Sequence, residues 1–204
     1  LSPGVRALGR LAGRIAGEGE PLKLRPEAAP EVTGPASPAD DPRFGDLAAA
    51  GPRAAADPDR YAFVVEAIRE GYLCHYGGTR LLDLPDPDLG LLAGDLLYAI
   101  GLNELSGLGD LESTAILSDL IRVAADLRAG GHPERAEVLW AVQVTALSCE
   151  KPADYEDRLT AVAAGETAAL EGLFAWAEST ADRCGTGREF RVAAKAIHLR
   201  PSNL

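Results

Sequence analysis

From Tyr61 to Cys184 apolar residues return at helical spacing and almost nowhere alternate as a strand would, so this stretch can fold only by packing helices on helices. Tyr61, Val64, Val65, Ile68, Tyr72 and Tyr76 form the first stripe, which stops at Gly77-Gly78. A second helix opens with Asp86 as N-cap and Pro87 at its first position, then runs through Leu91, Leu92, Leu96, Leu97, Ile100 and Leu102 to Gly107. Being apolar nearly all round, it is expected at the centre. A third is capped by Asp110 and ends at Gly130-Gly131, with Leu117, Leu120, Ile121, Ala124 and Leu127 facing inward. The fourth starts at Pro133, where Glu134 and Glu137 complement the positive end of the helix dipole, and carries Val138, Leu139, Trp140, Val142 and Leu147. Tyr155 to Ala164 and Glu166 to Cys184 follow, divided by Gly165. The short connections predict an all-α, antiparallel helical bundle.

The two ends read differently. Glu18 to Asp59 is dense in Pro, Gly, Ala and charge without a sustained period, which predicts a loose or disordered segment. Within residues 5–16, Val5, Leu8, Leu11, Ala12 and Ile15 share one helix face, and Arg6, Arg10 and Arg14 another. Such a basic helix either folds back on its own acidic domain or makes a peripheral contact with an anionic membrane or an acidic partner. Arg188 to Leu204 reads as a basic, weakly periodic tail. The expected organisation is therefore an N-terminal arm over 1–58, a helical domain over 59–184 and a tail over 185–204.

Composition narrows the function classes. The 204 residues carry a net charge of -11, which argues against the phosphate backbone of nucleic acids as a partner. No apolar run approaches the ~18 residues of a membrane span. Cys74, Cys149 and Cys184 are far apart in sequence, without C-x-x-C spacing, so neither a disulfide framework nor a zinc knuckle is predicted. The first residues lack the apolar core of a secretory signal, and the cytoplasm is the expected compartment, with a membrane-peripheral position if the arginine helix anchors.

Phosphate-binding loops, G-x-S-x-G and H-E-x-x-H are all missing from the chain. His75, His132 and His198 are scattered, and His75 reads as a helix-end histidine facing solvent. Asp83, Asp86 and Asp88 could offer hard oxygen ligands to a cation, but two prolines among them and the capping role of Asp86 account for the cluster without one.

The informative stretch is Leu91-Leu92-Ala93-Gly94-Asp95-Leu96-Leu97-Tyr98, followed by Leu105-Ser106-Gly107-Leu108-Gly109-Asp110-Leu111-Glu112 and Leu117-Ser118-Asp119-Leu120-Ile121. A glycine inside a helix costs about 1 kcal/mol relative to alanine, so Gly94 beside Asp95 needs a reason. The segment resembles the L-x-G-D helix of trans-isoprenyl (polyprenyl) diphosphate synthases, over roughly Tyr61 to Leu147. That resemblance implies an isoprenoid-synthase-like bundle, here shortened, in which Gly94 permits close helix packing beside a cavity. The family's two Asp-rich motifs, which hold Mg²⁺ on a departing diphosphate, have no counterpart here. The spacing from Gly94 leads instead to Glu66 and Glu70, with Ala67 and Arg69 between them. Where the family places a diphosphate-binding Lys, the chain has Leu139-Trp140-Ala141-Val142.

The resemblance is closest to the non-catalytic small subunit of heteromeric polyprenyl diphosphate synthases. It implies pairing with a catalytic subunit, no cofactor of its own, and Leu92, Leu96, Tyr98 and Trp140 lining the site of the growing prenyl chain. Two alternatives stand beside it. One is a divergent Mg²⁺-dependent prenyltransferase using Glu66, Glu70 and Asp95. The other is a helical scaffold that pairs with itself and binds no lipid. An all-round apolar helix predicts an oligomer in each case.

Overall fold

The computed structural model describes residues 1–28, 44–76 and 78–197, and His198 lies outside them. The described residues are helical apart from short connections and one short strand pair. In order it forms α1 (Pro3–Glu18), β1 (Lys23–Leu24), α2 (Phe44–Ala50), α3 (Pro58–Tyr76), β2 (Leu82–Asp83), α4 (Pro87–Ser106), α5 (Leu111–Ala129), α6 (Pro133–Ser148), α7 (Tyr155–Ala163), α8 (Thr167–Cys184) and α9 (Gly187–Ala196). Asp86 and Asp110 cap α4 and α5 as expected, accepting from the backbone N–H of Asp88 and Ser113 at 3.0 Å each. Asp110 also accepts from the Tyr61 hydroxyl at 2.7 Å, tying the start of α5 to α3.

Helix α3 serves two apolar clusters. Tyr61, Val64, Val65, Ile68 and Tyr72 join the larger one, built with α2 and α5 to α9. Ala62, Phe63, Ala67 and Cys74 join the smaller one, built with α1, α4, Leu81 and Leu82. Along α4 the close neighbours are Cys74 near Gly90, Gly71 near Gly94, Ile68 and Val64 near Gly101, and Arg60 near Gly107. Numbers falling on one helix as they rise on the other make this pair antiparallel. By contrast Arg6 reaches Asp59 and Arg10 lies over the Phe63 ring, so α1 runs parallel to α3.

Three expectations change. First, of the two alternatives for the basic helix the fold-back is the one found, with Leu11 and Ile15 buried against the smaller cluster, while part of the segment expected to be loose is core, Phe44, Leu47 and Ala48 of α2 being buried against the larger; residues 29–43 of that segment lie outside the described residues. The apolar face that could have met a membrane is thus occupied by the chain itself. Asp46 holds the start of α1 in place, accepting from the Gly4 N–H at 2.7 Å and the Ser2 hydroxyl at 2.9 Å, where negative charge suits the helix dipole. Second, the residues expected as a tail form α9, whose Phe190 is buried against Phe174 with ring centroids 5.5 Å apart. Third, α4 is not central. Its buried side is Gly90, Ala93, Gly94, Leu97, Ile100, Gly101 and Leu105, while Leu91 and Leu92 are exposed. The central helix is α6, buried continuously from Val138 to Ser148.

Candidate functional site

The sequence pointed to the α3–α4 pair, and its geometry begins with glycine. A Cβ at Gly94 would lie 2.6 Å from the His75 ring and 3.0 Å from the Gly71 carbonyl oxygen, and one at Gly71 would lie 2.7 Å from Tyr98. Only hydrogen at both positions lets the two backbones approach this closely. The space so made is filled by His75, which stacks on Tyr98 with centroids 5.2 Å apart and planes inclined by 21°. His75 therefore turns into the helix pair instead of facing solvent, and its Nε2 lies 3.2 Å from Asp95 Oδ1. Burial raises the pKa of the Tyr98 phenol above its ordinary range, with the neighbouring Tyr76 and Tyr72 adding to the effect.

Glu66 and Glu70, one helical turn apart on α3, are wholly buried. Between them runs Arg80, from the connection after α3. Its Nη1 lies 2.8 Å from Glu66 Oε2, and its Nε donates to Glu70 Oε2 at 2.8 Å. Glu66 Oε1 also accepts from the Gly45 N–H at 2.6 Å. Glu70 Oε1 accepts from the N–H groups of Arg80 and Leu81, at 2.8 and 2.9 Å, and from the Thr79 hydroxyl. Burial alone would raise the Glu70 carboxyl, but the Arg80 guanidinium and these donors outweigh it and hold the pKa below its ordinary value. The pair thus anchors the α3–α4 connection and the strand pair it enters, where Leu24 lies opposite Leu82.

The metal candidates do not converge as the divergent-enzyme alternative requires. Glu66 and Glu70 face an arginine, whereas the Asp95 side chain is 73% exposed beside His75. Among the described residues no group of three or more His, Cys, Asp or Glu could hold a metal ion. Asp83 lies opposite Lys23 in the strand pair and Asp86 caps α4, as the simpler reading had it, with Asp88 in the first turn of that helix.

The four prenyl-lining candidates also separate. Leu92 is 68% exposed on the outer side of α4, and Leu96 packs at the edge of the smaller cluster. Tyr98 packs against the larger cluster, and Trp140 lies buried inside it. Phe44 and Tyr72 flank the Trp140 indole at centroid distances of 5.5 Å each, and the Arg69 guanidinium sits 5.0 Å from it. Arg69, itself buried, also lies over Phe44 and Tyr72 and is anchored by Glu137 at 2.7 Å. Its Nε and Nη1 have no conventional acceptor, and the three ring faces take that role. Arg128 completes the cluster, donating to the Tyr72 hydroxyl at 2.7 Å. An open depression of about 500 Å³, lined by Arg53, Glu112, Lys151 and Tyr155 among others, borders none of the four candidates.

Arg80 and Arg69 carry this geometry and were not among the sequence candidates. The available signal was two glutamates and an arginine on one core helix, charges that cannot be buried without partners. Comparison with models of protein families, with curated proteins and with solved structures gives no match. No helix among the described residues is long and apolar enough to cross a membrane.

Proposed function

We propose that this chain is a non-catalytic helical subunit, isoprenoid-synthase-like in its α3–α4 pair, that pairs with a catalytic polyprenyl diphosphate synthase and shapes the partner's prenyl-chain site. The observation that carries the reading is the outer side of α4. Leu91 and Leu92 stand exposed there, in a helix whose opposite side is fastened to α3 by glycine contacts. A rigid helix that presents leucines outward suits recognition by a partner helix or an apolar chain. Arg80 supports the non-catalytic part of the reading, since a cation seeking Glu66 and Glu70 would have to displace a buried guanidinium already ion-paired with both.

The test mixes the purified chain with a catalytic polyprenyl synthase encoded in the same genome. Molar mass in solution and product chain length are measured with and without the chain, and with Leu92→Glu, a change at an exposed position that leaves the core intact. The expected result is a stable hetero-complex with an altered product length, both lost in the variant. No complex, or Mg²⁺-dependent condensation of farnesyl diphosphate by the isolated chain, would overturn the proposal. A self-complex abolished by Leu92→Glu would point instead to the scaffold alternative.

A further inference from the structure

The side of α4 that faces solvent has a regular order. Asp88, Leu92, Asp95, Ala99, Leu102 and Ser106 follow one another at intervals of 4, 3, 4, 3 and 4 residues, which sets them in one line along the helix. All but Leu102 are exposed, Leu92 at 68% and the Asp95 side chain at 73%. By this spacing one helix receives another, side chains of the second entering the gaps of the first. Chemistry divides the line in two. The N-terminal half sets a leucine between two carboxylates, and the C-terminal half is uncharged, beginning with the small Ala99. No lysine or arginine occurs anywhere in α4. Asp88 enters no ion pair among the described residues, and Asp95 has the His75 Nε2 beside it at 3.2 Å.

We propose that this line receives a helix of the partner subunit that carries two cationic residues one heptad apart, with an apolar residue between them and a bulky one over Ala99. The inference rests on the reading of the chain as a subunit, and it adds what the partner must present. Charge complementarity carries it. A carboxylate covered by a docking helix loses its water, a cost that a facing cation offsets and an apolar side chain does not. Asp88 and Asp95 lie on one side of the helix, ~10 Å apart along its axis, so the partner's cations must stand at that same separation. Leu92 between them requires an apolar contact, and Ala99 leaves room for a large side chain or a close backbone. A helix without cations would cover the leucine only by stranding both carboxylates, so the line that accepts a basic helix also rejects a neutral or acidic one.

A second copy of the chain fits this line less well. Two α4 helices face to face would bring four aspartates together, with no lysine or arginine from either helix to meet them. The helix α9 does hold Arg188, Val192 and Lys195 outward, at the same intervals as Asp88, Leu92 and Asp95. Its 10 residues, however, cover only half of a helix of 20 and leave the stretch from Ala99 to Ser106 open.

The experiment measures the affinity of the full chain for the catalytic polyprenyl synthase encoded in the same genome, at low and at high salt, together with the molar mass of the chain alone. Asp95→Lys is expected to weaken the complex on the order of 100-fold and Asp88→Asn about tenfold, each with a flatter salt dependence. Asp95→Glu keeps the charge and should stay within about threefold of the wild type. Glu178→Lys makes the same change of net charge at an exposed position on α8 and should leave the affinity unchanged. Ala99→Trp should abolish the complex by filling the space a partner needs. All four positions are exposed, so the melting temperatures of the isolated variants should match that of the wild type. A complex lost in Ala99→Trp but indifferent to Asp88→Asn and Asp95→Lys would overturn this inference and leave the subunit reading standing. No complex at all would remove that reading and this inference with it. A complex of the chain with itself, dissolved by Asp95→Lys and by Lys195→Glu alike, would assign the line to α9 of a second copy and overturn the proposal.

Discussion

Helices α4 and α6 make an instructive pair. Judged by side chains alone α4 is the more apolar, with seven leucines and an isoleucine, whereas α6 interrupts its apolar residues with Gln143, Thr145 and Ser148. The fold reverses that order. Every residue of α6 from Val138 to Ser148 is buried, while α4 leaves Leu91 and Leu92 in solvent. Gln143, Thr145 and Ser148 tolerate depth because each makes at least one hydrogen bond, although the Gln143 Nε2 finds no partner among the described residues. Thr145 donates to the Ala141 carbonyl at 2.8 Å, Ser148 to the carbonyls of Val144 and Leu47, and the Gln143 oxygen accepts from the Tyr155 hydroxyl at 2.6 Å. What α4 buries is its glycine side, where backbone meets backbone. Depth thus follows from the number of neighbouring elements and the satisfaction of polar groups, and a count of leucines measures neither.

The largest test of this contrast is Trp140→Ala. The indole is fully buried among Phe44, Tyr72 and Arg69, so its loss opens a cavity and removes a ring face from a buried cation. Destabilisation of about 3–5 kcal/mol is expected by urea unfolding. A loss below about 1 kcal/mol would mean that α6 is not the packing centre, a surface-like cost. On the α4 side the corresponding change adds an atom. Gly94→Ala places a methyl 2.6 Å from the His75 ring and 3.0 Å from the Gly71 carbonyl, and overpacking of this kind costs about 1–3 kcal/mol. Should Gly94→Ala instead stabilise the chain, as an unobstructed helical Gly→Ala would, the close α3–α4 approach is wrong.

Local features were legible beforehand. The caps Asp86 and Asp110, the glycine stops after α5 and α7 and the apolar face of α1 are determined within a few residues of sequence, and each stands where expected. What was not legible depends on partners distant in the chain. Residues 44–50, Phe-Gly-Asp-Leu-Ala-Ala-Ala, carry too little pattern to announce a core helix, yet small side chains are what lets α2 fit against α3 and α6. Glu66 and Glu70 read from sequence as a solvated face, with metal ligation the alternative, and the buried pairing with Arg80, beyond the end of α3, is neither.

The smallest expected effect is the most pointed, because it compares two leucines on one helix. Leu97, 1% exposed, packs in the smaller cluster, and Leu97→Ala should cost about 2–5 kcal/mol through lost burial and the cavity left behind. Leu92 is five residues earlier on the same helix and 68% exposed, so Leu92→Ala should change the stability of the isolated chain by no more than about 0.5 kcal/mol. Helix propensity cannot create this difference, since both substitutions replace leucine by alanine in a helix interior. Only burial separates them. If Leu92→Ala proved costly in dilute solution, where molar mass reports a monomer, that leucine would have to be covered within the chain. The outer side of α4 would then be core, and unavailable to any partner. If the cost arises only at concentrations where the chain associates, the leucine is covered by the association itself, and stability becomes a direct readout of what α4 binds.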